Sequence, residues 1–204
     1  MIPASTPPRL ILASSSAYRK QLLSRLRLPF EVQAPAIDES ARPGEGAGAT
    51  ARRLAYAKAA AVACAQPNCL VIGSDQVATM GGRHIGKPGN HANALRQLQQ
   101  LRGQRVVFHT ALCLWDGRQT EPALAAQLVD VETVVTFRDL PDAELDAYLR
   151  LEQPYDCAGS AKNEGLGIAL LDNIEGSDPT ALTGLPLIAL TGMLRKAGVS
   201  FFTA

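Results

Sequence analysis

A mixed-sheet α/β fold is the class this sequence predicts, and three observations carry the prediction. Short apolar runs of strand length, at 10–13 and 70–72, alternate with segments whose apolar residues recur at helical spacing. Two longer β-branched stretches, 105–115 and 127–137, are joined around Gly117, which favours antiparallel pairing through a hairpin. Gly81-Gly82, set between strand-like pieces, marks a second, two-residue hairpin. No linker divides the 204 residues, so the chain 1–204 is expected to form a single domain large enough for a sizeable core, either one body or one with two lobes.

In chain order, 10–13 reads as a first strand, and Ser14-Ser15-Ser16 offers hydroxyls where a helix should begin, with Ser16 the candidate N-cap. The following AYRKQLLSRLRL places Leu22, Leu23 and Leu26 at helical spacing. Arg19 and Lys20 fall in its first turn beside Tyr18, where positive charge opposes the helix macrodipole by about a few tenths of a kcal/mol each. An anion held by the free backbone N–H groups, with Arg19 adding a bidentate fork, would account for that placement; a solvated basic turn is the alternative. Residues 30–34 read as a second strand, followed by Ile37-Asp38-Glu39 ahead of a Gly/Ala/Pro-rich loop at 41–51. Thr50 is the expected cap of a helix reaching about residue 66, with Leu54, Lys58 and Val62 spaced by four. Lys58 therefore lies on or beside the packed face, where its head either snorkels to water or meets an anion in a cleft.

The stretch LVIGSDQVATMGGRHIGKP, residues 70–88, is central. Leu70, Val71 and Ile72 suit a buried strand that Gly73 is expected to end with a tight turn, leaving Asp75 at the strand's end. After a second β-prone piece, 76–80, the Gly81-Gly82 hairpin returns the chain to Gly86-Lys87-Pro88 and folds the lysine back towards the acid. A carboxylate and an ammonium at the mouth of a cleft suit phosphate chemistry, the acid through a metal ion or water and the lysine through charge; a strand-end salt bridge is the competing reading. Gly81 and Gly86-Lys87 also match the start of a phosphate-binding P-loop. Pro88, however, stands where a hydroxyl should bind magnesium, and the glycines follow a hairpin instead of opening a helix, so that reading is excluded.

Asn90 caps the next predicted helix, which carries Ala94, Leu95, Leu98 and Leu101 and stops at Gly103. Pro141 starts another, with Leu145 and Leu149 inward and Asp142, Glu144 and Asp146 in its N-terminal half. The segment CAGSAKNEGLGIAL lets a ligand approach the backbone closely, and 183–197 reads as an apolar helix stopped by Gly198.

Composition narrows the function classes. Apolar residues at 47% and charged residues at 19% describe an ordered globular protein, and 20 Lys+Arg against 19 Asp+Glu provide no general basic field for a nucleic-acid duplex. The four cysteines lack C-x-x-C spacing and the density of a disulfide scaffold, and the three histidines lack zinc-site spacing. There is no apolar signal core, and no apolar run nears roughly 18 residues, so a soluble, cytoplasmic protein with reduced thiols is expected.

Taken together, LILASSSAYRKQLL, IDES, LAYAKA, VIGSDQV, IGKP and CAGSAKNEGLGI resemble the Maf family of nucleoside triphosphate pyrophosphatases over nearly the whole chain. GSDQ and the AGS, K and EG of the late loop are similar to the branch acting on 7-methyl-GTP; the pyrimidine branch typically has threonine after the acid and glutamine in that loop. The resemblance implies hydrolysis between the α and β phosphates to a monophosphate and pyrophosphate, with a divalent cation such as Mg or Mn. It also implies an elongated mixed sheet with flanking helices and two lobes around a cleft, related to inosine triphosphate pyrophosphatases, and often a homodimer. It gives Asp75 the role of proton acceptor or metal-linked base and Glu39 that of holding the metal or positioning water. Ser14, Arg19, Lys58 and Lys87 would line the phosphate path, and Tyr18, Gln76 and Glu164 would set base specificity. Ala17 replaces the usual proline and Tyr18 the tryptophan of the 7-methyl-GTP branch, the second bearing on base preference.

The chemistry of these residue types agrees. Methylation at N7 makes guanine cationic, and a desolvated Tyr18 face would gain up to about 2 kcal/mol from it. Glu164, acceptor-only when ionised, suits the donor edge of guanine. Two alternatives remain at this point: the same reaction on dTTP or UTP, and a nucleotide-binding regulator of cell division that does not cleave its ligand.

Overall fold

The protein's computed structural model describes residues 8–202. Its first strand, β1 (Arg9–Ala13), buries four consecutive apolar residues and pairs in parallel with β2 (Glu31–Val32) on one side and β3 (Cys69–Met80) on the other. Helix α1 (Ala17–Ser24) links β1 to β2, and α2 (Ala47–Ala63) links β2 to β3. A two-residue turn leads from β3 into β4 (Arg83–Ile85); Gly81 and Gly82 both have positive φ, 55° and 78°, which a type I′ hairpin requires. Then come α3 (His91–Leu101), β5 (Arg105–Asp116), the short α4 (Pro122–Ala125), β6 (Ala126–Phe137), α5 (Asp142–Glu152), β7 (Leu171–Gly176) and α6 (Leu187–Lys196).

The sheet has the order β2-β1-β3-β5-β6-β7, with β4 on the outer side of β3; β1 to β3 are parallel and the rest antiparallel, so the mixed α/β class is borne out. Side chains alternate across it. Even-numbered residues of β3 and β5 face one side, where Leu70, Ile72, Leu112 and Leu114 pack with α1 and α6, and Ala78, Val106 and Phe108 pack further along with α3 and α5. Odd-numbered Cys69, Val71, Ala111 and Cys113 face the other side, against Ala51, Ala55, Ala59 and Val62 of α2. The two clusters on the even face are the cores of the two lobes.

The cleft between the lobes is a split in the sheet. The outer edge of β3 pairs with β1 as far as Gly73 and resumes pairing, with β4, at Ala78. Residues 74–77 keep only β5 as a ladder partner. Chain leaving β1 and chain leaving β4 diverge around this gap, which is where ligands bind in open α/β sheets.

Several expectations are corrected. Gly73 does not end a strand: β3 runs unbroken through it, and Asp75 sits mid-strand. The glycine is needed for a different reason, because a Cβ there would lie 2.2 Å from the Ala55 carbonyl oxygen and 2.7 Å from the Ala59 nitrogen. Thr50 is inside α2, whose N-cap is Gly46, and its hydroxyl donates instead to Glu45 at 3.0 Å. The first helix stops at Ser24, so that Leu26, read at helical spacing, lies beyond it, and the last begins only after Pro186. The second strand shrinks to two residues. Ser16, Asn90, Leu145 and Leu149 behave as the sequence predicts. Among the described residues all four cysteines are free, and no helix is long and apolar enough to cross a membrane.

Candidate active site

Helix α2 meets β3 at unusually short range because Gly73 faces Ala55 and Ala59. That contact places Lys58, one turn from Ala55 on the same face, directly over Asp75, the next odd-numbered residue of β3. Lys58 Nζ donates to Asp75 Oδ1 at 2.7 Å and to Glu39 Oε2 at 2.9 Å. Lys58 and Asp75 are only 5% and 7% exposed, whereas the Glu39 side chain, on the loop before α2, is 56% exposed. The lysine thus meets an anion in a cleft, as one of the two sequence readings had it.

Arg19, in the first turn of α1, donates from Nε to the Gly184 carbonyl at 2.8 Å and from Nη1 to Ser14 Oγ at 3.4 Å. Burial pulls its guanidinium below the ordinary arginine value, and the nearby Asp75 and Glu39 carboxylates pull it back up. Ser14 Oγ also accepts from the Ser16 N–H at 3.2 Å, and Ser16 Oγ caps α1 by accepting from the Arg19 N–H. Of the two basic residues at this helix start, Arg19 faces the acids of the cleft, whereas Lys20 is exposed and lies outside the cavity lining. Gln76 directs its amide nitrogen at Thr110 Oγ1, Leu182 O and Ala181 O, at 2.9, 3.0 and 3.1 Å. Ser74 Oγ bridges the Ala111 and Gly184 carbonyls in the same way. Together these bonds hold segment 181–184 over the gap in the sheet.

At the other end of the site Tyr18 lies against Cys157, whose thiol donates to the phenol oxygen at 3.8 Å, while Lys162 Nζ stands 5.9 Å from the ring centroid. Burial, then the Cys157 contact, raises the Tyr18 hydroxyl above its ordinary value, and burial pushes the Cys157 thiol up to about 11, so both stay protonated at neutral pH. Glu164 is exposed on the loop after Lys162, and Lys87 is exposed just beyond β4. All nine predicted residues, Ser14, Tyr18, Arg19, Glu39, Lys58, Asp75, Gln76, Lys87 and Glu164, line one cavity of about 720 Å³.

A profile described as Maf-like protein matches residues 9–197. The chain belongs to the Maf family. It is 63% identical over 201 residues to the 7-methyl-GTP pyrophosphatase of Cupriavidus metallidurans, an alignment covering 98% of this chain and 99% of that one. It is 62% identical over 195 residues to the 7-methyl-GTP pyrophosphatase of Ralstonia nicotianae, covering 96% of this chain and 98% of the relative.

This Maf chain also brings residues to the cavity that sequence reasoning did not single out: Thr183 and Gly184 from the segment before α6, Asn163 and Asp156 from the glycine-rich region, and His84 from β4. Segment 181–184 is tied to the site through its carbonyls, which accept from Arg19, Ser74 and Gln76 and which no side-chain motif announces. One signal was available in Ser177-Asp178-Pro179-Thr180: Asp178, only 4% exposed, accepts from the Thr180, Ile188 and Ala189 N–H groups and fixes the segment to the start of α6.

Glu39 and Asp75 fit a hard divalent cation. Each engages Lys58 through one oxygen, and among the described residues Glu39 Oε1 and Asp75 Oδ2 have no hydrogen-bond partner while both residues face the cavity. Two carboxylates with room for water and phosphate oxygens are the donor set magnesium prefers. A second group of potential ligands, His109, Asp130 and Glu132, lies outside the cavity lining; there His109 Nδ1 is 2.8 Å from Asp130 Oδ2.

Proposed function

We propose that the protein hydrolyses 7-methyl-GTP, or a related modified nucleotide, to the monophosphate and pyrophosphate, acting in the cytoplasm through a single Maf-like domain. The observation that carries this reading is the convergence of nine residues from six separated segments in one cavity. Lone salt bridges need no such convergence. The names of relatives more than 60% identical over nearly the full chain support the same reaction.

In this reading Ser14, Arg19 and Lys87 hold the polyphosphate. Each cation within about 4 Å of a phosphate charge contributes about 4 kcal/mol at an effective dielectric of about 20. Glu39 and Asp75 hold magnesium or manganese, which when bound neutralises phosphate charge and lowers the pKa of water. Asp75 aligns the attacking water or takes its proton, and Lys58 keeps the two carboxylates at a fixed separation. Tyr18 offers its ring face to the cationic base and Glu164 accepts from the guanine donor edge. Gln76 contributes mainly by tying segment 181–184 in place, since its amide hydrogens are already committed to that segment and Thr110.

The test is a panel of 7-methyl-GTP, GTP, dTTP and UTP with magnesium or manganese, read by pyrophosphate release. Fastest turnover of 7-methyl-GTP is expected. Preference for dTTP or UTP would transfer the same chemistry to pyrimidines, and binding without pyrophosphate would make the protein a nucleotide sensor instead.

A further inference from the structure

Residues 33–46, between β2 and α2, carry Glu39 yet form no helix or strand. Across 34–44, the side chains of other elements that hydrogen-bond this loop, among the described residues, are Lys58 and Arg53 of α2. Lys58 grips the Glu39 carboxylate but is shared with Asp75. Arg53 grips the main chain one residue on, donating from Nη2 to the Ser40 carbonyl at 3.1 Å.

The guanidinium that makes this contact is itself fixed. Arg53 Nε and Nη2 donate to the two carboxylate oxygens of Glu45 at 2.8 and 2.7 Å, and Thr50 Oγ1 adds a third bond to that carboxylate. The Arg53 and Glu45 side chains are 19% and 14% exposed, far less than Glu39. Neither lines the cavity. Planar, bidentate geometry leaves Nη2 one hydrogen for Ser40, a combination that lysine cannot reproduce.

We infer that Arg53, oriented by Glu45, is a positioning residue for Glu39: it anchors the loop main chain so that the exposed Glu39 carboxylate stays beside the buried Asp75. The inference rests on the functional reading above, which assigns that carboxylate pair to one cation. A positioning role acts through Glu39, and this separates it both from general support of the fold and from the direct electrostatic influence of the Arg53 charge on Asp75, which R53K retains.

The experiment is a double-mutant cycle on the full chain between R53M and E39A. Two quantities are read: kcat/KM for 7-methyl-GTP across a magnesium titration, and Mn²⁺ affinity by calorimetry without nucleotide. R53M is expected to lower kcat/KM about tenfold and weaken Mn²⁺ binding about fivefold, with R53K recovering little of either. In the E39A background the same substitution should change each by less than about twofold, because interacting residues are non-additive. Equal losses in both backgrounds, or unchanged Mn²⁺ affinity in R53M, would overturn the assignment. Should R53M fail to fold, E45Q carries the same cycle with the same criteria. If the wild type cleaves no triphosphate, the functional reading fails alone, and the Mn²⁺ isotherms still decide the positioning role.

Discussion

Replacing Lys58 with methionine isolates the cation that joins the two acids. Methionine keeps most of the apolar stem, so the change removes charge more than packing. Asp75, 7% exposed, would then hold a carboxylate in the interior without its partner at 2.7 Å. Removing one member of a buried pair costs about 3–5 kcal/mol, because the survivor keeps its desolvation penalty and loses the compensating attraction. Glu39, with its side chain 56% exposed, regains water and adds only about 0–1 kcal/mol. Arg19 lies near enough to Asp75 to offset part of the loss, so a value near the lower limit, about 3 kcal/mol, is expected. Urea unfolding can be followed through Trp115, the single tryptophan, which packs edge-on against Tyr56 of α2. The midpoint should fall at constant m-value. E39Q should stay within about 1 kcal/mol of wild type, and K58M/D75N, which deletes both buried charges, should recover at least about half the loss. A K58M cost below about 1 kcal/mol, or a double variant no more stable than K58M alone, would refute the claim that this is a buried, mutually dependent pair.

Four further outcomes follow from the same geometry. D75N is expected to lower kcat for 7-methyl-GTP by at least roughly a hundredfold while the protein remains folded by circular dichroism; near-normal turnover would remove Asp75 from its role. E164Q should narrow the preference for guanine over pyrimidine triphosphates, measured as a ratio of kcat/KM values, and an unchanged ratio would place base reading elsewhere. Hydrogen bonds from Arg53 hold the Glu45 carboxyl at about 2, below its ordinary 4.5. A depressed acid stabilises the fold above its unfolded value, so the stability advantage of wild type over R53M should be full above about pH 4.5 and fade towards pH 2 in urea titrations. G73A should destabilise by about 3 kcal/mol or more, since the added methyl meets backbone atoms that cannot rotate away; a midpoint shift equivalent to less than about 1 kcal/mol would contradict the close approach of α2 to β3.

Much of the site was legible because its signals are local. The spacing of Leu54, Lys58 and Val62 put a lysine on a buried helix face, and the Gly81-Gly82 turn brought Lys87 back to the cavity that holds Asp75. What stayed hidden depends on partners distant in sequence. Gly73 permits either a tight turn or a close helix contact, and only the arrival of Ala55 and Ala59 selects the second. Thr50 has the chemistry of an N-cap, yet its hydroxyl goes to Glu45 and the helix is capped four residues earlier, at Gly46. The family resemblance gives Gln76 a part in base specificity, but no local signal announces that its amide nitrogen meets the carbonyls of 181 and 182.

The Gly73 seam also divides the site by rigidity. Lys58 and Asp75 are spaced by backbone resting on backbone, whereas Glu39 is suspended from a loop by two side chains. Amide hydrogens around 55–59 and 71–75 should therefore exchange only through global opening, and those of 34–44 through local fluctuation. An inhibitor shaped to the lysine and buried acid meets a template that keeps its form, while one reaching for the outer acid must first bring that loop to rest.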